Sequence, residues 1–304
     1  MNKEILALLL VSLVVLVSGC TMPFGGGGEE QATPGPGTKG VVIESFTSDI
    51  DYIVGDGTQK IDLKLTARNI GSEIAKDIKV RGQRLSWSGF LTEEDCAPEL
   101  EPPNPEINKE GQICVVTWED LTVPEVKKVQ DYTATAILSY KYKTTATSNA
   151  YVIKNWKLQA MKEAGETIPK TEPTVNSDAP VQLEFRFSED PLIAKEDGTR
   201  TVAGTLIIRK VGTGNLEYDK TARRYKIDSI KIENPSISGI TIDSGTCSGV
   251  VNMRGDREGE CNFKVNIDGS KLPSDIVKVP LKAIANYTFV VGKDLILTVH
   301  PKLE

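Results

Sequence analysis

Few side chains in this sequence could do covalent or acid–base chemistry. The 304 residues include five cysteines and a single histidine, His300. Four of the cysteines fall into close pairs, Cys96 with Cys114 and Cys247 with Cys261, 18 and 14 residues apart. Four thiols allow three pairings. In an oxidising space two local disulfides are the natural expectation. Each would close a loop of about 15–20 residues and contribute about 3 kcal/mol by restricting the unfolded chain. A metal site would need CxxC-type spacing and several imidazoles, so no metal and no cofactor is expected. The same shortage leaves no Ser-His or Cys-His pair within the folded region. Gly212-Thr213-Gly214 lacks the later glycine and the Lys-Ser/Thr end of a phosphate loop and reads as a turn. Asp49, Asp51 and Asp56, and later Glu189, Asp190, Glu196 and Asp197, gather near turns. Their spacing departs from the Asp-x-Asp-x-Asp-Gly calcium loop, and they read as solvated carboxylates. No catalytic residue is assigned, and the chain is expected not to be an enzyme.

Binding chemistry is better represented. Ser86-Trp87-Ser88-Gly89-Phe90 sets two aromatics among small residues, so Trp87 and Phe90 are the candidate ligand-binding pair. Trp118, four residues after Cys114, is expected to pack against the disulfide, and Trp156 to seat a short helix. Asn286-Tyr287-Thr288 is an N-glycosylation sequon inside an expected strand, which requires Asn286 to face outward and Tyr287 inward. A net charge of −6 argues against nucleic acid or anionic lipid surfaces as partners.

The elements that position these groups begin with a leader. Lys3, an apolar run from Ile5 to Val17 and the small residues Ser18-Gly19 have the form of a signal peptide over 1–19. The run is shorter than the ~20 residues of a transmembrane helix. Cys20 directly after Ser-Gly resembles the lipobox of prokaryotic lipoproteins, and the Gly-rich spacer behind it looks archaeal. That resemblance implies a lipid on the Cys20 thiol, cleavage before it, and an extracytoplasmic protein anchored to the cell membrane and facing outside. Residues 20–39, with four consecutive glycines and Pro34-Gly35-Pro36-Gly37, are expected to form a disordered tether.

From Val41 onward the pattern is strands and turns. Ile61, Leu63, Leu65 and Ala67 alternate with polar residues, as do Val181, Leu183, Phe185 and Phe187. Asn155–Gly165 is the one convincing helix, and Pro169, Pro173 and Pro180 mark an extended linker. The halves also match each other. Phe46, Asp56-Gly57-Thr58, Leu65, Arg68 and Gly71 precede Phe187, Asp197-Gly198-Thr199, Leu206, Arg209 and Gly212 by 141 residues. Cys114, Ala136-Ile137, Tyr140 and Tyr142 precede Cys261, Ala283-Ile284, Tyr287 and Phe289 by 147. Two collinear sets point to a duplication of whole domains.

The reading is therefore all-β: two tandem immunoglobulin-like β-sandwich domains, 40–154 and 181–304, joined by a linker over 155–180 that holds a short helix. Asn69-x-Gly71, Ala75 and Asp77-Ile78-Lys79-Val80 resemble the cell-adhesion-related (CARDB) domains of bacterial and archaeal surface proteins. The second half departs from that pattern with Lys210 where the first has Asn69. The resemblance implies a sandwich on a cell surface. Two functions follow as expectations: a non-enzymatic surface lipoprotein for adhesion, partner binding or envelope structure, or a substrate-binding or accessory module of a surface enzyme or transporter. The expected partners are the membrane, through the lipid that the resemblance implies on Cys20, and a surface protein or glycan. Read outward from the anchor, tether and domains would form a stalk.

Overall fold

Period-two alternation produces strands with one dry face, and the structure is built almost wholly of them. The computed structural model describes residues 40–87 and 91–302. The expected signal peptide, Cys20, the tether to residue 39 and Phe90 lie outside the described residues. The first half contains β1 (Val41–Ser48), β2 (Ile53–Gly55), β3 (Lys60–Asn69), β4 (Ala75–Leu85), β5 (Glu93–Leu100), β6 (Ile113–Thr122) and β7 (Gln130–Lys154). The helix α1 (Asn155–Glu163) and β8 (Val175–Asn176) follow. The second half contains β9 (Val181–Phe187), β10 (Leu192–Ala194), β11 (Thr199–Lys210), β12 (Asn215–Leu216), β13 (Tyr218–Asp219) and β14 (Arg224–Ile232). It ends with β15 (Ile240–Asp243), β16 (Gly249–Arg254), β17 (Glu258–Asp268) and β18 (Ile276–Pro301).

Each half is a two-layer sandwich, so the all-β expectation holds. In the first, the sheet β1-β3-β6 faces β5-β4-β7. Ile61, Leu63, Leu65 and Ala67 of β3 are buried as their alternation predicts, and they share one core with Ile78, Val80 and Leu138 of the opposite layer. In the second, β9-β11-β17 faces β14 and β18, with β16 pairing both layers and β15 added beside β17.

The two layers containing β7 and β18 are one continuous sheet. β7 and β18 pair antiparallel along their whole length, from Gln130↔Val299 to Ile153↔Ile276. Midway, Lys141 stands opposite Thr288, and these are equivalent residues of the two Tyr-x-aromatic motifs. A pseudo-twofold axis therefore passes between them. β7 begins beside β4 in the first half and ends in the second, where its last residues pair in parallel with β10. β18 begins in the second half, beside β14, and ends in the first, paired in parallel with β2. Each half thus lends the end of its long strand to the other. The halves are not successive bodies on a stalk, because residues 290–301 complete the sheet of the first half.

Residues 155–180 are held along this sheet. Glu172 accepts from Asn149 Nδ2 at 2.6 Å and Tyr151 Oη at 3.1 Å and pairs with Lys278 at 2.6 Å. Ser148 Oγ donates to the Glu172 carbonyl at 2.7 Å, and Val175–Asn176 pairs with Ala146–Thr147. The helix forms where expected and buries Met161 of the expected face, but Leu158 rather than Trp156 joins it inside, and Trp156 is exposed. Leu158–Met161 is an i,i+3 pair on one face, and Trp156 lies off it.

The strand register also corrects the alignment of the halves. Phe46 and Phe185 stand opposite the equivalent Leu65 and Leu206, so Phe46 corresponds to Phe185, not Phe187. A bulge between Ile43 and Ser45 contributes to the shift. Cys114 stands opposite Ala67 while Cys261 stands opposite Leu206, so the two cysteines sit two residues apart on equivalent strands.

Candidate functional site

Four aromatic side chains line the pseudo-twofold axis. Tyr140 and Tyr142 of β7 meet Phe289 and Tyr287 of β18, with ring centroids 6.0 and 6.5 Å apart across the pair. All four are buried. Their hydroxyls have partners, as buried tyrosines require. Tyr287 Oη lies 2.8 Å from Thr144 Oγ1, whose proton goes to the Val181 carbonyl at 2.9 Å. Tyr142 Oη accepts from Glu73 N at 3.1 Å and donates to Asn69 Oδ1 at 3.4 Å. Burial pushes all three phenols well above the usual tyrosine range.

The departure of the second half from the Asn69-x-Gly71 pattern has a geometric explanation here. In the first half, buried Asn69 bridges the corner, its Nδ2 donating to the carbonyls of Glu73 and Leu100 at 2.8 and 2.9 Å. Its Oδ1 takes the Gly71 N–H at 3.1 Å. In the second half, Lys210 Nζ spans the same corner, reaching Gly214 O at 2.7 Å and Asp256 Oδ2 at 2.5 Å. Lys210 gives Phe289 no acceptor, and Phe289 needs none. The glycines of both corners are required by contact: a Cβ at Gly71 would collide with Tyr142 Oη, and one at Gly212 with Pro180 and Phe289.

The residues expected to bind or bond are dispersed over the molecule. Cys96–Cys114 and Cys247–Cys261 are both disulfides. The first ties β5 to β6; the second ties the turn Gly245–Cys247 to β17. Trp87 is half-buried, its ring edge-on to Tyr132 at 5.0 Å, and its Nε1 has no hydrogen-bond partner among the described residues. Trp118 packs on Phe46 at 6.0 Å and donates to Thr92 O at 3.1 Å. Asn286 is exposed and Tyr287 buried, the alternation a sequon in a strand demands, and Asn286 Nδ2 donates to Ser229 Oγ at 3.1 Å. His300 stacks on Tyr52 at 4.4 Å inside the β2–β18 pairing.

Several of the turn carboxylates are engaged locally. Asp56 Oδ1 accepts from Thr58 N and Gln59 N, which hold this carboxyl below its ordinary range. Glu189 pairs with Arg200, and Asp190 caps Thr171. A groove of about 580 Å³ runs between residues 171–176 and the outer side of β9. Its charges neutralise one another: Arg186 and Arg209 both pair with Glu184, and Arg209 also reaches Glu258. The groove was not legible in the sequence, because nothing there showed that residues 171–176 would lie beside β9.

No protein-family model matches the chain, and no curated protein matches it. Among solved structures, the chain matches the crystal structure of the collagen-binding domain of the Erysipelothrix rhusiopathiae surface protein RspB. The two are 8% identical, the match covers 86% of this chain and 94% of that one, and the TM-score is 0.12. At that score the likeness has no bearing on what this chain binds.

Proposed function

We propose that the chain is an exported, lipid-anchored and non-enzymatic surface protein of prokaryotic, archaeal type that presents its interlocked sandwiches to a partner, in adhesion or envelope structure. The observation that carries this reading is the pair of disulfides, one in each half. Cystines persist in oxidising spaces and are rare in the cytosol. The leader and the cysteine after Ser-Gly add the anchor, at Cys20. Strand exchange supports a scaffolding role, since neither half can turn without unzipping the shared sheet. The test is fractionation of the full chain in an archaeal or bacterial envelope. Native chain is expected in the membrane fraction with lipid on Cys20, and Cys20→Ser in the soluble exported fraction. A cytosolic chain with all five thiols free, or retention of Cys20→Ser in the membrane, refutes the proposal.

A second reading, ligand binding as an accessory module, is favoured by Trp87, whose buried indole N–H has no partner among the described residues. It predicts a Trp87 fluorescence change on titration with envelope glycans, lost in Trp87→Phe.

A further inference from the structure

β6 and β17 are the same strand of the two halves: Trp118 stands opposite Leu63 as Phe263 stands opposite Gly204, 141 residues further on. Their outer edges differ. β17 is bordered by β15, from Ile240↔Ile267 to Asp243↔Lys264. Below that, Asn262 N donates to Thr246 Oγ1 at 2.8 Å, and β16 pairs with the start of the strand. β6 is the last strand of its sheet, and among the described residues its only ladder is with β3. Asn69 N donates to Gln112 O, so up to the bulge between Ile61 and Leu63 the even-numbered residues Cys114, Val116 and Trp118 bond toward β3. The N–H and C=O groups of Ile113, Val115, Thr117 and Glu119 then point to the open edge.

The outward side chains differ in the same direction. Where β17 carries Glu258 and Glu260, β6 carries Ile113 and Val115, which are 46% and 44% exposed. An unpaired edge with exposed β-branched side chains is a feature that folded proteins normally suppress unless a partner covers it.

We infer that the outer edge of β6, Ile113–Glu119, receives an extended, basic strand from a partner protein. The second half supplies the template, an antiparallel strand that sets Asp243 opposite Lys264. In the first half Glu119 follows Trp118 as Lys264 follows Phe263, so the charge at this place is reversed. Glu94 of neighbouring β5 adds to it, while Glu93 and Asp95 share Lys79, Lys60 pairs with Asp120, and Lys64 of β3 stands opposite Thr117. The partner strand therefore carries Lys or Arg where β15 carries Asp243. A second copy of this chain would bring the same acidic border against itself. The inference rests on the partner-binding reading above and is independent of the lipid anchor.

The test uses the full chain in detergent and a fluorescent synthetic peptide copying residues 238–245 with Asp243→Lys. The unchanged copy is the control. Anisotropy at low salt is expected to show the lysine peptide binding at least tenfold more tightly than the control. Hydrogen-exchange protection should appear at Val115, Thr117 and Glu119. Thr117→Pro removes one edge-facing N–H and leaves the β3 ladder whole; it should weaken binding at least tenfold. Val115→Lys is the second variant, with the same expectation, should Thr117→Pro fail to fold. No binding of the lysine peptide, binding indifferent to both variants, or dimerisation of the chain through β6 each overturns the inference. None of these results alters membrane retention through Cys20, which is measured separately.

Discussion

Raising the pH attacks the junction between the halves directly. Tyr140, Tyr142 and Tyr287 are buried there with their proton affinities raised, chiefly by desolvation. In the unfolded chain each phenol ionises near pH 10, while in the folded chain it stays neutral. Above pH 10 the folded state therefore binds more protons than the unfolded state, and stability falls as pH rises. Each tyrosine contributes a slope of about 1.4 kcal/mol per pH unit, and three together about 4 kcal/mol per unit. A net stability of roughly 5–15 kcal/mol is then exhausted within about one to four pH units. The assay is urea unfolding at a series of alkaline pH values, with phenolate absorbance recorded in parallel. Three of the chain's eight tyrosines are expected to ionise only as the protein unfolds. Tyr142→Phe, which copies Phe289 of the second half, sharpens the test. It leaves the Glu73 N–H without its acceptor, a cost of about 1–3 kcal/mol near neutral pH, yet it should reduce the alkaline slope by about a third. Ionisation of these phenols in a still-folded protein, or an unchanged slope in Tyr142→Phe, would refute the reasoning.

Further outcomes follow from the exchanged strands and the disulfides. Deleting residues 292–304 removes sequence from the second half but should expose the first: the amides of Tyr132–Leu138 that face β18 lose hydrogen-exchange protection, while those facing β4, and β9 and β11, keep theirs. Protection lost in β9 and β11 instead would contradict the pairing. Replacing Cys96 and Cys114 by alanine should cost about 3 kcal/mol, and the Cys247–Cys261 pair about the same, from loops of similar length. Either loss should lower one shared calorimetric transition, because the halves cannot unfold separately; two resolved transitions would count against the interlock. Acidification should release Lys210: its hydrogen bond holds the Asp256 carboxyl below the ordinary range. The stability from this pair is complete above the unfolded aspartate pKa and is lost as pH falls through the lower folded value. Asp256→Asn should flatten the acid limb of the stability curve measured by urea unfolding, and an unaltered limb would remove the pair from the account.

The sequence revealed which residues face inward more readily than which strands meet. Alternation identified β3 and β9 residue by residue, and the Tyr-x-aromatic match located the residues that form the junction. Alternation is local, however, and does not name a partner. Nothing in the alternation shows that β7 runs unbroken from Gln130 to Lys154, because six of the seven residues over Lys143–Asn149 are polar. The structure runs through this stretch, since inward-facing Thr144 and Ser148 satisfy their hydroxyls on the Val181 and Glu172 carbonyls. Strands of this length, roughly 80 Å, also lie far outside the usual range. At the binding surfaces, Trp87 was visible as an aromatic among small residues. The open edge of β6 was not, because among the described residues it is defined by a strand, β15, that borders β17 and has no counterpart beside β6.

The reciprocal exchange of β7 and β18 bears on how such a chain could have arisen. A lone half would carry a strand whose far end has nothing of its own to pair with, and an identical copy is what completes it. The order of events implied is association first and fusion second: two identical subunits already clasped by their long strands, later written into one gene. The two halves differ at their corners and edges: Lys210 and Phe289 stand where the first half has Asn69 and Tyr142, and among the described residues β6 is bordered on one side where β17 is bordered on both.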